Sequence, residues 1–386
     1  MPRKKISVLI AAALAAGGIA TAATTNASAS TAAANSGPQL VSVDSSGSSI
    51  DNVFDDKISD DGRWVAFSTY SPYGNGIPVV YVRDLAHRTT KKIYSGKKTW
   101  EVWVDLSGDG KTLAINATTP IGSAPYHSEQ RIVDVATGKT IVDRTDFSSS
   151  YGLSLSSNGQ WAALTAYSSG RWHVYLWNIA QNKLTVISPA NSDAYSGVIS
   201  PDAKKVAYSI GDNAYSTTLA TGARQVINVN STGGATKNGQ ANPQAYSADD
   251  NYVLFYSESP DYGYSICWAT CAFRRDLRNN TVTPAGVLPN GHMTSSYQAD
   301  LSADGDVVTF ADSAGNSGEP SQVYTRRFST RTTTLNSKNA KGVAGYTDST
   351  LPSITADGKK VTFISTATNL GTPTPTGGLW LTPSGV

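Results

Sequence analysis

The stretch Ile58-Ser59-Asp60-Asp61-Gly62-Arg63-Trp64-Val65-Ala66-Phe67 sets a pattern that the chain repeats six more times, from Leu106, Leu155, Ile199, Tyr246, Leu301 and Ile354. Each copy runs apolar residue, Ser (Thr355 in the last), one variable residue, then Asp or Asn, then Gly. Ala203 and Asp250 replace that glycine in copies four and five. Measured from the Ser position, the spacings are 48, 49, 44, 47, 55 and 53 residues. A period of this length is long for a helical solenoid and right for a four-stranded propeller blade.

The chemistry within a copy agrees. Ser-x-Asp-Gly is turn chemistry, with Asp capping nearby N–H groups and Gly accepting a positive φ. Apolar residues then alternate, as in Val65 and Phe67, Leu113 and Ile115, Val206 and Tyr208, and Val361 and Phe363. A period of two means strand, with that face in the core. Third strands follow at Val79-Val82, Arg131-Val133, Val174-Trp177 and Val323-Thr325, and fourth strands at Thr137-Val142 and Asn182-Val186. The last copy stops after its third strand, Leu379-Trp380-Leu381, while Leu40-Val41-Ser42-Val43 precedes the first. Joining the two closes the ring and removes an open sheet edge. The expected fold is all-β, a seven-bladed β-propeller closed by its N-terminal strand.

Working outward, Arg3, Lys4 and Lys5 precede a short apolar run, Ile6 to Ala16, and Ala27-Ser28-Ala29 has the form of a signal-peptidase site. The expected organisation is a signal peptide over 1–29, a flexible mature terminus over 30–38 and a propeller over 39–386. The expected destination is extracellular. Of the 31 basic residues three lie in the leader, so 28 remain against 29 acidic ones in the mature chain. That balance excludes the concentrated basic field of nucleic-acid and membrane-surface binders. Cys267 and Cys271 are the two cysteines of the chain. In an oxidising compartment they are expected to form a local disulfide, because zinc would need two further ligands and no second pair accompanies them.

The Ser-x-Asp-Gly units and the opening Leu40-Val41-Ser42-Val43-Asp44 resemble the WD40-like (TolB-type) repeats of secreted bacterial propellers. The similarity covers essentially the whole mature chain. The whole pattern most resembles the propellers that induce autolysis of dispase, with a leader, seven units, a close cysteine pair and only four histidines. The resemblance implies a non-enzymatic extracellular protein; the chain is separately expected to be a monomer and to need no cofactor. It would promote self-digestion of a neutral metalloprotease and serve as glutamine donor to a secreted transglutaminase.

Catalytic signatures are missing from the sequence. His87, His127, His173 and His292 are scattered without ligand spacing, and no His-Glu-x-x-His, Gly-x-Ser-x-Gly or P-loop segment occurs. Asp55, Asp56, Asp105 and Asp300, just before the turns, could converge in the channel as the paired carboxylates of a glycosidase. Solvated channel polarity is the preferred account of them. The turn residues Asp60, Asp61, Asp109, Asp202, Asp249, Asp304 and Asp357 read as caps, because calcium needs six to eight oxygens focused on one point.

Five residues before each repeat Ser stand Phe54, Val102, Tyr151, Tyr195, Asn242, Tyr297 and Thr350. If the strand entering the turn is innermost, these form a ring at one mouth, with Trp100 and Trp103 beside it. Such a face suits a protein partner or, alternatively, a stacked sugar in a lectin-like module. Trp64, Trp161, Trp172 and Trp177 read as core. The insertion Glu258 to Cys271, carrying Tyr262, Tyr264 and Trp268, is a second candidate for recognition. A transglutaminase needs a carboxamide on loose backbone. Gln39 behind its polar tail ranks first on that criterion, then Gln298, then Gln240 and Gln244, with Gln160 and Gln322 lower.

Overall fold

The computed structural model describes residues 37–70, 76–97, 100–119, 127–237, 239–263, 270–296, 298–313, 318–372, 374 and 376–386. Among these, seven four-stranded antiparallel sheets succeed one another as blades, with no α-helix. The first strands are β2 (Val53–Ile58), β6 (Glu101–Leu106), β10 (Ser149–Leu155), β14 (Tyr195–Ile199), β18 (Ala241–Tyr246), β22 (Gln298–Leu301) and β26 (Ser349–Ile354). All seven line the central channel, so the strand entering each turn is innermost.

The repeat is conformational at heart. In the first copy Ser59 Oγ donates to Asp61 Oδ1 (2.6 Å) and accepts from Trp64 N (2.9 Å), while Asp61 Oδ1 accepts from Arg63 N (2.9 Å). The same three bonds recur in every copy, with Asn158 serving in the third and Thr355 in the seventh. The fourth residue of each turn has a positive φ, 68° at Gly62 and still 59° at Ala203 and 58° at Asp250. Calcium is not needed to explain these aspartates; they hold their own turns.

Side-chain size after the turn follows from how blades stack. Val65 and Phe67 face blade 7, whereas Ala66 between them faces blade 2. The alternation continues around the ring and gives one apolar cluster at each blade interface. The core is therefore seven wedges rather than one centre.

Closure takes the expected route. β1 (Gln39–Leu40) pairs antiparallel with β28 (Gly378–Pro383), with Gln39 opposite Leu381 and Leu40 opposite Trp380. Val41 N then donates to Leu379 O at 2.8 Å. The bridge Val43–Ser49 that follows recurs as Val229–Ala235, Val287–Met293 and Lys338–Ala344 in other blade connections. The expected flexible boundary moves, however. Gly37 packs against Asn339 and Ala340, and Pro38 is buried, so both belong to the propeller. The leader and residues 30–36 lie outside the described residues.

Two further sets of bonds tie blade to blade at the channel. The first runs through backbone at the variable position of the turn, with the donor in blade 2 one residue later at Asp109: Asp60 N to Gly108 O, Asp109 N to Ser157 O, Ser157 N to Pro201 O, Ala248 N to Ala303 O, Ala303 N to Ala356 O and Ala356 N to Asp60 O, all 2.7–3.1 Å. Among the described residues the link from blade 4 to blade 5 is missing, because Pro201 holds the donor position without an N–H. The second set uses side chains two residues before the Ser. Asp105 Oδ2 accepts from Leu155 N (2.7 Å), Ser154 Oγ from Ile199 N (3.4 Å), Asp300 Oδ2 from Ile354 N (3.2 Å) and Ser353 Oγ from Ile58 N (3.4 Å). Lys57 cannot accept, and in blade 1 Asp55 Oδ2 takes over by accepting from Val104 N at 2.8 Å. Val198 and Ala245 offer no oxygen, so the blade 4–5 seam lacks both links.

Replacing Ala203 by Gly relieves a left-handed backbone and is expected to raise unfolding free energy by about 1 kcal/mol. The converse case is Gly108, where a Cβ would land on the Ser157–Asp60 hydrogen bond that crosses it. Gly108→Ala is expected to destabilise by about 1 kcal/mol, the worth of that bond. Urea titration of both variants checks the two signs.

Candidate functional site

The channel has a waist. Lys57 Nζ reaches across it to Asp300 Oδ2 at 2.7 Å, and both residues line the chambers on either side. The chamber at the turn mouth has a volume of about 480 Å³ and the other about 370 Å³. The four aspartates singled out in the sequence do meet here. Solvated polarity does not describe them, because Asp55, Asp56 and Asp300 are each at most 9% exposed and Asp105 is part-buried. Three accept backbone amides from the next blade, and Asp56 Oδ2 accepts from Thr362 Oγ1 at 2.6 Å.

Dry surroundings change their acidity. Burial pushes Asp55 up to about 7, against the amide of Val104, and the charge of Asp105 adds to the rise. Burial likewise pushes Asp56 up to about 8, with Asp55 and Asp300 adding to it. Asp105 rises to about 6 through burial, opposed by Lys57. Burial disfavours the charge on Lys57, but Asp300 and Asp105 outweigh it and hold the ammonium above its ordinary value. The arrangement can keep carboxyls neutral near pH 7. Among the described residues no group of three or more His, Cys, Asp or Glu is placed to hold a metal ion.

The outer rim of the smaller chamber carries the aromatic residues. Phe54 lies 5.3 Å from Tyr70 and 4.6 Å from Trp103 between ring centroids. Tyr151 lies 5.0 Å from Trp172 and 6.5 Å from Tyr195, and Trp172 also packs on Tyr167 at 5.5 Å. Tyr70, Trp103 and Tyr167 are each about two-fifths exposed. The two clusters occupy the sector of blades 1 to 4. Blades 5 and 7 present Asn242 and Thr350, and Tyr297 of blade 6 lies outside the described residues. Bulges recur in the inner strands of blades 1, 3, 4, 5 and 7, at Val53/Asp55, Tyr151/Leu153, Tyr195/Val198, Pro243/Ala245 and Thr350/Ser353, and Asn52, Ser196 and Leu351 hold positive φ. The irregular backbone therefore belongs to the repeat at this mouth and is not confined to the aromatic sector.

Several expectations need correcting. Trp100 is buried between blades 1 and 2, with Lys97 Nζ 4.3 Å over its ring, and is not part of the mouth. Trp172 was expected in the core and instead joins the rim; Trp177 is fully buried. Tyr70 and Tyr167 escaped the sequence reading because they sit at the ends of second strands, off the repeat position. The turn Ser168–Arg171, which sets Tyr167 opposite Trp172, was the available signal. In the fifth unit Tyr262 packs on Phe273 at 4.3 Å, while Tyr264, Cys267 and Trp268 lie outside the described residues. Cys271 is buried.

The glutamines divide in two. Gln298 and Gln244 sit on inner strands facing the channel, and Gln298 Oε1 accepts from Leu351 N at 2.7 Å, so neither is on loose backbone. Gln39 is exposed but paired as the first residue of β1, not in a tail. Gln240 is exposed in a loop, Gln160 is exposed in a turn and Gln322 is buried.

No family model matches this sequence, and no curated protein does. Solved structures match in shape. An oligogalacturonate lyase in complex with manganese is 14% identical with a TM-score of 0.57, over 86% of this chain and 89% of that one. The propeller domain of the trilobed protease from Pyrococcus furiosus, described as having an open velcro topology, is 11% identical with a TM-score of 0.56, over 81% of this chain and 91% of that one. TolB from Acinetobacter baumannii, 14% identical, overlays at a TM-score of 0.44 over 84% of this chain and 81% of that one. The likeness is one of fold alone. Unlike the open velcro of the archaeal domain, this ring is fastened by β1 on β28.

Groups whose folded-state pKa is raised favour the native state below their ordinary values, near pH 4, and forfeit that advantage as pH climbs through the raised ones. Asp55, Asp56 and Asp105 therefore make stability fall between about pH 4 and about pH 8. Asp56→Asn is expected to flatten that slope by up to ~1.4 kcal/mol per pH unit. Thermal unfolding across this range checks it; an unchanged slope would show that Asp56 does not titrate as described.

Proposed function

We propose that this chain is a secreted, non-catalytic propeller that works by binding other proteins through its aromatic mouth. The observation that carries the reading is the pair of part-exposed aromatic clusters around Trp103 and Trp172 at one mouth of the channel. Trp and Tyr dominate protein interfaces because they bring large apolar area with a polar tip and little flexibility to freeze. A rigid ring lowers the ordering penalty further. The channel carboxyls are compatible with a structural duty, since three of the four receive backbone amides of a neighbouring blade.

The sequence resemblance to the dispase autolysis-inducing protein gives the partner its class, a thermolysin-like neutral metalloprotease. In this reading the mouth binds the protease and favours a self-cleavable form. Incubating the purified chain with thermolysin is expected to hasten appearance of autolytic fragments on a gel. Trp103→Ala and Trp172→Ala are each expected to raise the concentration needed by at least about tenfold. Protease decay that is unchanged by the wild-type chain would overturn the proposal, and so would cleavage of a neutral peptide by the propeller alone.

The same resemblance makes the chain a glutamine donor for a secreted transglutaminase. Exposure supports Gln39, on an edge strand at the chain's beginning, and Gln240, in a loop. With transglutaminase and an amine probe, mass spectrometry is expected to find label on these two and none on Gln244 or Gln298. Equal labelling of all four would reject accessibility as the selecting principle.

A further inference from the structure

We propose that the chamber behind the aromatic mouth binds an organic ammonium group, a primary amine seated against the Asp55 and Asp56 carboxyls with Trp103 at its rim. The volume, about 370 Å³, falls within the range of small-molecule pockets. Its wall includes Asp55, Asp56, Lys57, Trp103, Gln244 and Asp300.

Charge and satisfaction select the guest. Among the described residues four carboxyls of the channel, counting Asp105, share one cation, Lys57, and Asp300 already engages it at 2.7 Å. That pair is a built-in example of an ammonium accepted in this channel. Asp56, 8% exposed, keeps Oδ2 on Thr362 but leaves Oδ1 without a hydrogen-bond partner. A buried acceptor without a donor is the exception in folded proteins and calls for one. An ammonium supplies three donors and a charge, and the face of Trp103 attracts the same cation on its way in. An anionic guest would meet like charge, and a neutral polyol would leave the excess of carboxyls uncompensated.

Binding of this kind is linked to protons. The groups facing Asp56 are Asp55 and Lys57 on its own strand, Asp300 across the channel and Thr362 on the second strand of blade 7, while Asp105 faces Asp55. Burial keeps Asp55 and Asp56 protonated near neutrality, so an arriving ammonium displaces a proton rather than adding to an existing ion pair. Affinity should then rise with pH up to the free-state value of Asp56. The inference does not depend on which protein the outer rim contacts.

Calorimetry on the full mature chain tests it, using cadaverine, Nα-acetyl-lysine amide and, as a neutral counterpart of cadaverine, 1,5-pentanediol. Both amines are expected to bind and the diol not to. At about pH 7 the heat measured in two buffers of different ionisation enthalpy should report release of about one proton, and affinity should rise by up to about tenfold per pH unit from about 6 to 8. Tighter binding of the lysine amide would assign the site to a partner's side chain, and tighter binding of cadaverine to a free amine. Asp56→Asn keeps the shape and the Thr362 contact and is expected to weaken amine binding at least about tenfold, without proton release. No binding of either amine at millimolar concentration, equal binding of the diol, or binding without proton release would each overturn the proposal. Should the Asn variant not fold, the two-buffer measurement on the wild type still decides.

Discussion

Circular closure is the constraint on which this structure rests. Each blade hides one apolar face against the next, so the seventh wedge exists only if the last blade meets the first. Two residues of the N-terminal strand, Gln39 and Leu40, complete blade 7, and Val41 behind them enters the wedge that closes the ring. Sheet pairing and apolar burial therefore act at one place, with several hundred residues of intervening chain. Loop closure over such a length is entropically unfavourable but grows only slowly with length, so a modest fastening suffices once the wedges form.

The repeat turn serves this closure as well as its own blade. Ser and Asp hold the hairpin internally, which frees the variable residue to present its backbone to the neighbour. The residues found there, Asp60, Gly108, Ser157, Pro201, Ala248, Ala303 and Ala356, are small because seven of them crowd one mouth. At the other mouth the demands relax, and bulky rings are tolerated. The two ends of one channel thus separate a structural rim from an available one.

What could be read from the sequence was whatever depends on near neighbours in the chain. The turns, the alternation in Val65 to Phe67 and the unfinished last unit all announce themselves locally, and with them the fold. The aspartates of the channel were visible as positions but not as dry ones, because dryness comes from residues such as Lys57 and Asp300, 243 positions apart. Trp100 and Trp103 looked alike in the sequence, yet one belongs to a wedge and the other to the rim, a distinction made by backbone register. Tyr70, Tyr167 and Trp172 reach the mouth from second and third strands, where no repeat position marks them.

Pro201 makes one seam of the ring different in kind from its neighbours. Its missing N–H removes the backbone stitch between blades 4 and 5, and side chains tie this seam instead: Ser216 Oγ meets Tyr246 OH at 2.7 Å, Gln225 Nε2 donates to Leu277 O at 2.7 Å and Lys205 Nζ donates to Asp250 O at 2.9 Å. At this seam the polar ties sit on side chains, so single substitutions can loosen it without touching the main chain.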